Sequence, residues 1–381
     1  MTTNVPLAEP IERVFVVTVD CLRWDYHDEY RELYPNGVWY RGTPQATYTP
    51  TSHASLFTGL NPPRHGVFDF GHEYVGDESL FTVTDAASRS RITRDGDVIA
   101  GLNATNEPIV EFRKWFAPRL DNAKHDDEFR EPEDADALLD SLDDHDVTFL
   151  HDWVVHGADR GHPGAWTYTI SETDPAENHR RYRKSQQMSL SAHENLLSAL
   201  RNRGLFENTL FVVWGDHGEC LNEQPDCDLG HAHDAHEPCC RVPIGFCSPL
   251  FEATTVDHET NPRSVDVLPT LRSVMRHAGL RFDDPDHEME GIDLTTFEGR
   301  LAGYTMSPTT PKSGTGDAVR GPKWCLYNGD VRQLYRTRHR PDGDAGYALA
   351  EPTDDEAVRR RYQSLLDRVR GDADTLVLNR E

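Results

Sequence analysis

The sequence predicts an α/β fold built on a large, mostly parallel sheet with helices on both faces and a small C-terminal sheet-plus-helix subdomain. Three observations predict it. Short apolar, β-branched runs at residues 13–19, 147–150 and 210–214 read as buried strands, too short to cross a membrane. The helical spacing of Met188, Leu190, Leu196, Leu197 and Leu200, closed by Gly204 just ahead of the third run, gives the helix-then-strand unit that parallel strands require. Each of these strands also leads into carboxylates or imidazoles: Asp20 after the first, Asp152 and His156 after the second, Asp216 and His217 after the third. Parallel strands carry their ends to one edge of the sheet, where open α/β folds place their ligands.

The elements follow in order. Residues 1–10 have no basic flank and no long apolar run, so they do not read as a signal peptide and the chain is expected in the cytoplasm. Residues 25–36 are charged and aromatic and read as helix or loop. In residues 47–59, Pro50 disfavours a helical Thr49, Thr51 or Ser52 caps a helix beginning near Ser52, and Gly59 ends it. Asn61-Pro-Pro-Arg-His-Gly66 is a rigid turn. Residues 121–146 read as a solvated, charged stretch, and residues 157–176, rich in Gly, Pro, Trp and Tyr, as a pocket rim. Helices are expected over 182–202, after 264–271 and over 354–370. The change of character near Gly303 divides the chain into a main domain, residues 1–302, and a small subdomain, residues 303–381.

Composition narrows the partners. With 39 basic and 65 acidic residues the net charge is −26, which speaks against nucleic acid or an anionic membrane surface. Lysine occurs at five positions, and an acidic, lysine-poor surface resembles that of proteins from salt-rich cytoplasm, where screening over about 3 Å relieves carboxylate repulsion. The seven cysteines are an odd number without paired Cys-x-x-Cys spacing, so they read as reduced packing residues rather than a disulfide framework or a structural zinc site. A single Asp at a strand end reads as a cap. Three strand ends with adjacent histidines read as a metal site.

The motifs Asp20-Cys-Leu-Arg-Trp-Asp25, Thr49-Pro-Thr-Ser-His-Ala-Ser-Leu-Phe-Thr-Gly59 with Arg64-His-Gly-Val67, Asn208-Thr-Leu-Phe-Val-Val-Trp-Gly-Asp-His-Gly-Glu219 and Arg241-Val-Pro-Ile244 resemble, in this order, those of the sulfatase family within the alkaline-phosphatase superfamily. Ser264-Val-Asp-Val-Leu-Pro-Thr-Leu271 and Ala318-Val-Arg-Gly-Pro-Lys-Trp324 resemble its later segments. The resemblance implies that family's α/β fold and ester chemistry. It also exposes departures. Thr49 stands in the place of the cysteine that sulfatases mature to formylglycine, Thr51 in that of the proline and His53 in that of the arginine, while Cys21 stands where many metal-binding sulfatases carry a second Asp. Threonine cannot become formylglycine, so the nucleophile position resembles that of superfamily phosphodiesterases and phosphatases, which use an unmodified hydroxyl.

The resemblance therefore implies Thr49 as nucleophile, with Thr51 as the alternative, His53 and His156 as further catalytic residues, and Asp20, Asp216 and His217 as metal ligands together with Thr49. Asp152 and His156 have the spacing that two-metal relatives use for another ion, completed by His231, His233 or His236. The preferred arrangement gives Asp152 and His236 to the metal and His156 and His233 to the ester oxygens. A histidine-rich set favours zinc or manganese over calcium, as one or two ions. The expected function is metal-dependent hydrolysis of phosphate or sulfate esters in small molecules or glycans. The alternatives are a phosphotransferase or mutase, and a catalytically silent metal-binding module.

Overall fold

The structure, a computed structural model, describes residues 3–68, 74, 76, 78–88, 139–140, 143–152, 155–156, 174–223, 230–232, 235–308, 310–329, 332–336, 351–370 and 377–378. Among these, seven strands form one sheet: β1 Arg13–Val19, β2 Gly37–Gly42, β3 Ala86–Ser88, β4 Val147–Asp152, β5 Thr209–Trp214, β6 Val242–Cys247 and β7 Thr255–Asp257. Their spatial order is β3-β4-β1-β5-β6-β2-β7. All run in one direction except β6, which is antiparallel to both of its neighbours.

Strand alternation sorts the side chains into two cores. Val14, Val16, Val147, Phe149, Leu210, Val212 and Trp214 meet Leu56 and Phe57 of the helix Thr49–Thr58 and Leu268, Leu271, Val274 and Met275 of the helix Val267–His277. Phe15, Val17, Val19, Leu150, Phe211 and Val213 face the other way, onto Tyr182, Leu196, Leu197 and Leu200 of the long helix Pro175–Asn202. Each such aliphatic side chain contributes about 1.5–3 kcal/mol by leaving water. Helices thus cover both faces, as the sequence predicts.

Boundaries differ from expectation in three places. The helix expected near Ser52 begins at Thr49, because Pro50 falls in its first turn, where proline costs no hydrogen bond; Gly59 ends it at φ 68°. The helix expected from 182 begins at Pro175, where the Asp174 carboxylate accepts from the amides of Ala176 and Glu177 at 3.1 and 3.3 Å. Strand β4 continues past Leu150 to Asp152. The expected solvated stretch at 121–146 lies mostly, and the pocket rim at 157–176 almost wholly, outside the described residues.

The C-terminal region forms a second, antiparallel sheet from β8 Gly303–Thr305, β9 Asp317–Arg320, β10 Trp324–Asn328, β11 Arg332–Arg336 and β12 Glu351–Pro352. The helix Glu356–Arg370 lays Tyr362, Leu365, Leu366 and Val369 on it, against Tyr304, Val319, Leu326 and Leu334. Ala46 and Tyr48, just ahead of Thr49, share this cluster, and Ala46 pairs with Met306 as an isolated parallel bridge. The expected reduced cysteines are found at Cys21, Cys239, Cys240, Cys247 and Cys325, all buried. Cys220 corrects that expectation, since it is disulfide-bonded. No helix among the described residues is long and apolar enough to cross a membrane.

Candidate active site

The ends of β1, β4 and β5 lie side by side, with Val19 in register with Asp152 and Thr18 with Trp214. This places Asp20, His151, Asp216 and His217 within one small volume. Two glycines make the turn after β5 possible: a Cβ on Gly215 would overlap the Leu22 carbonyl oxygen, and one on Gly218 the Pro238 carbonyl oxygen. The turn aims its side chains through its own amides. Asp216 Oδ1 accepts from the amides of Cys21 at 3.2 Å and His217 at 2.9 Å. His217 Nδ1 lies 2.9 Å from the Gly218 carbonyl oxygen, which can only accept, so the proton sits on Nδ1 and Nε2 presents a lone pair.

That lone pair faces three oxygens. His217 Nε2 is 3.3 Å from Thr49 Oγ1, 3.5 Å from Asp20 Oδ1 and 3.5 Å from Asp216 Oδ2, and Thr49 Oγ1 is 3.4 Å from Asp20 Oδ2. Asp20, Asp216 and His217 are fully buried, and Asp20 Oδ1 and Asp216 Oδ2 have no hydrogen-bond partner. Burial and the nearby charge of Asp20 push the Asp216 carboxyl up to about 8. Asp20 itself is held well below the usual range: burial opposes this, but His156, His151 and His217 outweigh it. Burial and His231 lower His217 to about 4. Two carboxylates, an imidazole lone pair and a hydroxyl with orphaned buried oxygens form a donor set for a divalent cation, which would satisfy them at one stroke. These residues fit a metal.

Two flanks adjoin this centre. On one, His53, four residues along the helix from Thr49, is fully buried among Phe57, Phe149 and Trp214, with neither ring nitrogen hydrogen-bonded and Nε2 3.8 Å from Asp216 Oδ2. Burial lowers its pKa well below the ordinary range. Beside it, His151 Nε2 is 3.0 Å from Asp20 Oδ2. On the other flank, Cys21 Sγ, at a residue with φ 63°, lies 3.1 Å from Glu219 Oε2, 3.7 Å from His231 Nδ1 and 3.8 Å from His217 Nδ1. His156 stacks edge-on to His231 at 4.8 Å between ring centroids. Burial opposes protonation of His231, but Glu219 outweighs it and raises the imidazole to about 9.

Of the predicted residues, the structure brings together Asp20, Thr49, His53, His156, Asp216 and His217. It does not bring in Asp152. That carboxylate turns to the opposite face of β4, where Ser189 Oγ donates to it and His193 Nε2 lies at 2.9 Å, because strand alternation sends His151 toward the site and Asp152 away from it. His236 stacks on the Tyr327 ring at 5.3 Å instead of joining the cluster, and His231 takes the place expected of it. His233 lies outside the described residues. Thr51 donates its hydroxyl to the Val67 carbonyl at 2.8 Å, and Ser52 donates to the Asp216 carbonyl at 2.5 Å, so neither caps the helix. Sequence reasoning misses His151 and Glu219. The signal for His151 was the period-two pattern of β4 carried two residues further.

A family model described as type I phosphodiesterase / nucleotide pyrophosphatase matches residues 14–220, more than half of the chain. The chain belongs to this family. It is an ester-acting enzyme of the hydrolase kind, with the sulfatase-like fold of the alkaline-phosphatase superfamily. Within the match fall Asp20, Thr49, His151, Asp216, His217 and Glu219. A low-salt glycan biosynthesis sulfotransferase of Haloferax volcanii is 24% identical over 345 residues, covering 88% of this chain and 74% of the relative. A phosphonate monoester hydrolase of Agrobacterium radiobacter superposes with a TM-score of 0.65 at 14% identity, covering 97% of this chain and 100% of the other. A 2-O GAG sulfatase superposes with a TM-score of 0.61 at 16% identity, covering 93% and 91%.

Proposed function

We propose that this phosphodiesterase-family chain is a metal-dependent enzyme that cleaves phosphate or sulfate esters through covalent attack by Thr49. One observation carries the reading: Thr49 Oγ1 lies 3.3 Å from His217 Nε2 and 3.4 Å from Asp20 Oδ2, whereas the rival Thr51 hydroxyl is committed to a carbonyl. Asp20, Asp216, His217 and Thr49 would hold a divalent cation, zinc or manganese by the nitrogen content of the surroundings, which would supply charge to acidify the hydroxyl and offset the anionic ester. The chain's own residues do the rest. Asp20, to which Thr49 donates, orients the hydroxyl and takes up its proton as the oxygen–phosphorus or oxygen–sulfur bond forms and the bond to the leaving group breaks, the departing alkoxide taking a proton from solvent. Thr49 opens its helix, whose N-terminal end carries the partial positive charge that suits an anionic ester. Water then cleaves the threonine ester.

The test is to quench turnover of an aryl phosphate and an aryl sulfate and weigh the peptide that holds Thr49. A phosphoryl or sulfuryl adduct and no aldehyde is expected; an adduct elsewhere, or none with turnover intact, defeats the reading.

The sulfotransferase relative favours a second reading, in which a glycan hydroxyl rather than water receives the group. A sulfuryl group on an unmodified threonine lacks the elimination route that formylglycine offers, so it persists long enough to meet an acceptor. Product partitioning between water and added glycerol or sugar separates the two.

Two wider features belong to the same proposal. Net charge −26, five lysines and a haloarchaeal relative support work in a salt-rich cytoplasm, on small-molecule or glycan anionic esters. Residues 303–381 act as an appendage packed on the catalytic residues 1–302.

A further inference from the structure

We infer that Tyr182 is a positioning residue for the Thr49 centre: its buried hydroxyl holds the turn after β1 and thereby aims two acidic side chains, Asp20 and Asp216. Cys21, the hinge of that turn, holds φ 63°, a region that side chains other than glycine rarely enter, so the conformation persists only where its surroundings enforce it. Both peptide groups of the residue are held. Its amide donates to Asp216 Oδ1 at 3.2 Å, and its carbonyl accepts from the Tyr182 hydroxyl at 2.7 Å. The same phenol oxygen accepts from the Arg23 amide at 3.1 Å, which closes the turn across residues 21–23. Tyr182 is fully buried, and burial pushes its ionisation well above the ordinary range, so it stays a neutral hydroxyl that donates and accepts at once.

Adjacency carries this to the site. Asp20, immediately ahead of Cys21, accepts from the Thr49 hydroxyl at 3.4 Å. The Cys21 amide engages Asp216 Oδ1 and leaves Oδ2 toward His217 Nε2, 3.5 Å away. A shift of the Cys21 backbone therefore moves both carboxylates. The long helix is placed for this role: Asn178 Nδ2 donates to the Leu221 carbonyl at 3.0 Å and Ser189 Oγ donates to Asp152, so one helix face holds the ends of β1 and β4 and the loop after β5.

The inference rests on the metal-assisted reading above, and the experiment keeps the two apart. Tyr182→Phe keeps the ring and removes the hydroxyl. It is made in the full chain alone and together with Cys21→Gly, since glycine adopts positive φ without strain. Loss of the Cys21 sulfur is common to both members of the second pair and cancels in the comparison. kcat and KM are read on an aryl phosphate, and zinc affinity by calorimetric titration of the chelator-stripped protein. Tyr182→Phe is expected to lower kcat and zinc affinity about 10- to 100-fold with KM nearly unchanged. In the Cys21→Gly background the same replacement costs several-fold less. Equal losses in the two backgrounds, or a Tyr182→Phe protein that matches wild type in both readouts, overturn the role of Tyr182. Should Tyr182→Phe not fold alone, folding of the double variant supports the role and its failure overturns it. A wild-type chain that turns over without binding zinc defeats the metal-assisted reading and leaves kcat to decide on Tyr182; zinc binding without turnover leaves affinity to decide; neither binding nor turnover overturns both.

Discussion

At the scale of single residues, Thr49 is a hydroxyl placed against two carboxylates and an imidazole lone pair, and its replacement separates chemistry from folding. Thr49→Ala is expected to abolish turnover and Thr49→Ser to retain part of it, with melting temperatures close to wild type. Thr51→Val behaves in reverse: it orphans the Val67 carbonyl at a cost of about 1–3 kcal/mol of stability and leaves turnover per folded molecule nearly intact. The buried acids predict a pH effect in the metal-stripped chain. Asp216 is raised to about 8 and His231 from 6.5 to about 9, so above about pH 6.5 the folded state holds protons that the unfolded chain has released. Stability of the stripped protein therefore falls as pH rises from about 7.5 to about 9. His156 and His217, lowered to about 4, are neutral in the folded state and oppose the fall only near pH 6.5, where unfolded imidazoles are still half protonated; about one unit higher they are neutral in both states. Denaturant melts at stepped pH, with and without added zinc, check the fall; a flat or rising profile without metal contradicts it. Asp20, Asp216 and His217 were legible in sequence because each follows an apolar strand directly. Glu219 was not, because nothing local marks a carboxylate whose partners, Cys21 and His231, come from elsewhere in the chain.

At the scale of elements, the site depends on how closely the turn after β5 approaches its neighbours. Gly218→Ala is expected to cost about 1–3 kcal/mol and to weaken metal binding, because the new Cβ drives the turn off the Pro238 carbonyl and carries Asp216 and His217 with it. Thermal melts and a metal titration check both effects. The same change at Gly66, where a Cβ meets nothing within 4 Å, pays only the strain of φ 74° and leaves metal affinity alone. The three strands read from the sequence were legible almost to the residue, the run 13–19 being β1 as expected, whereas β2, β3 and β7 were not read. The two-residue error at the end of β4 had the larger consequence. Read as a loop, His151 and Asp152 look interchangeable; read as strand, they point to opposite faces, and the ligand assignment changes hands. A boundary error in a strand is an error of face, whereas the early start of the Thr49 helix merely lengthened an element already placed.

At the scale of the whole molecule, charge rules. With a net charge of −26, the melting temperature is expected to rise between dilute buffer and molar salt, where the screening length falls to about 3 Å. A melting temperature indifferent to salt removes the inference of a salt-rich cytoplasm and leaves the chemistry at Thr49 untouched. The sheet and its two layers of helices were legible because hydrophobic periodicity is local; the docking of the C-terminal sheet was not, because it rests on pairings between residues far apart in the chain. Those pairings have a consequence in time. The strand of chain that delivers Thr49 is gripped by late-made residues: the Thr47 amide donates to the Met306 carbonyl at 3.1 Å, the Met306 amide to the Gln45 carbonyl at 3.0 Å, and the Ala232 amide to the Thr47 carbonyl at 2.9 Å. A chain still being translated past residue 300 has its main sheet but not the partner that seats Thr49. Seating of Thr49 is therefore expected to wait on the segment around Met306, so that truncation ahead of it disturbs the Thr49 loop more than the main sheet.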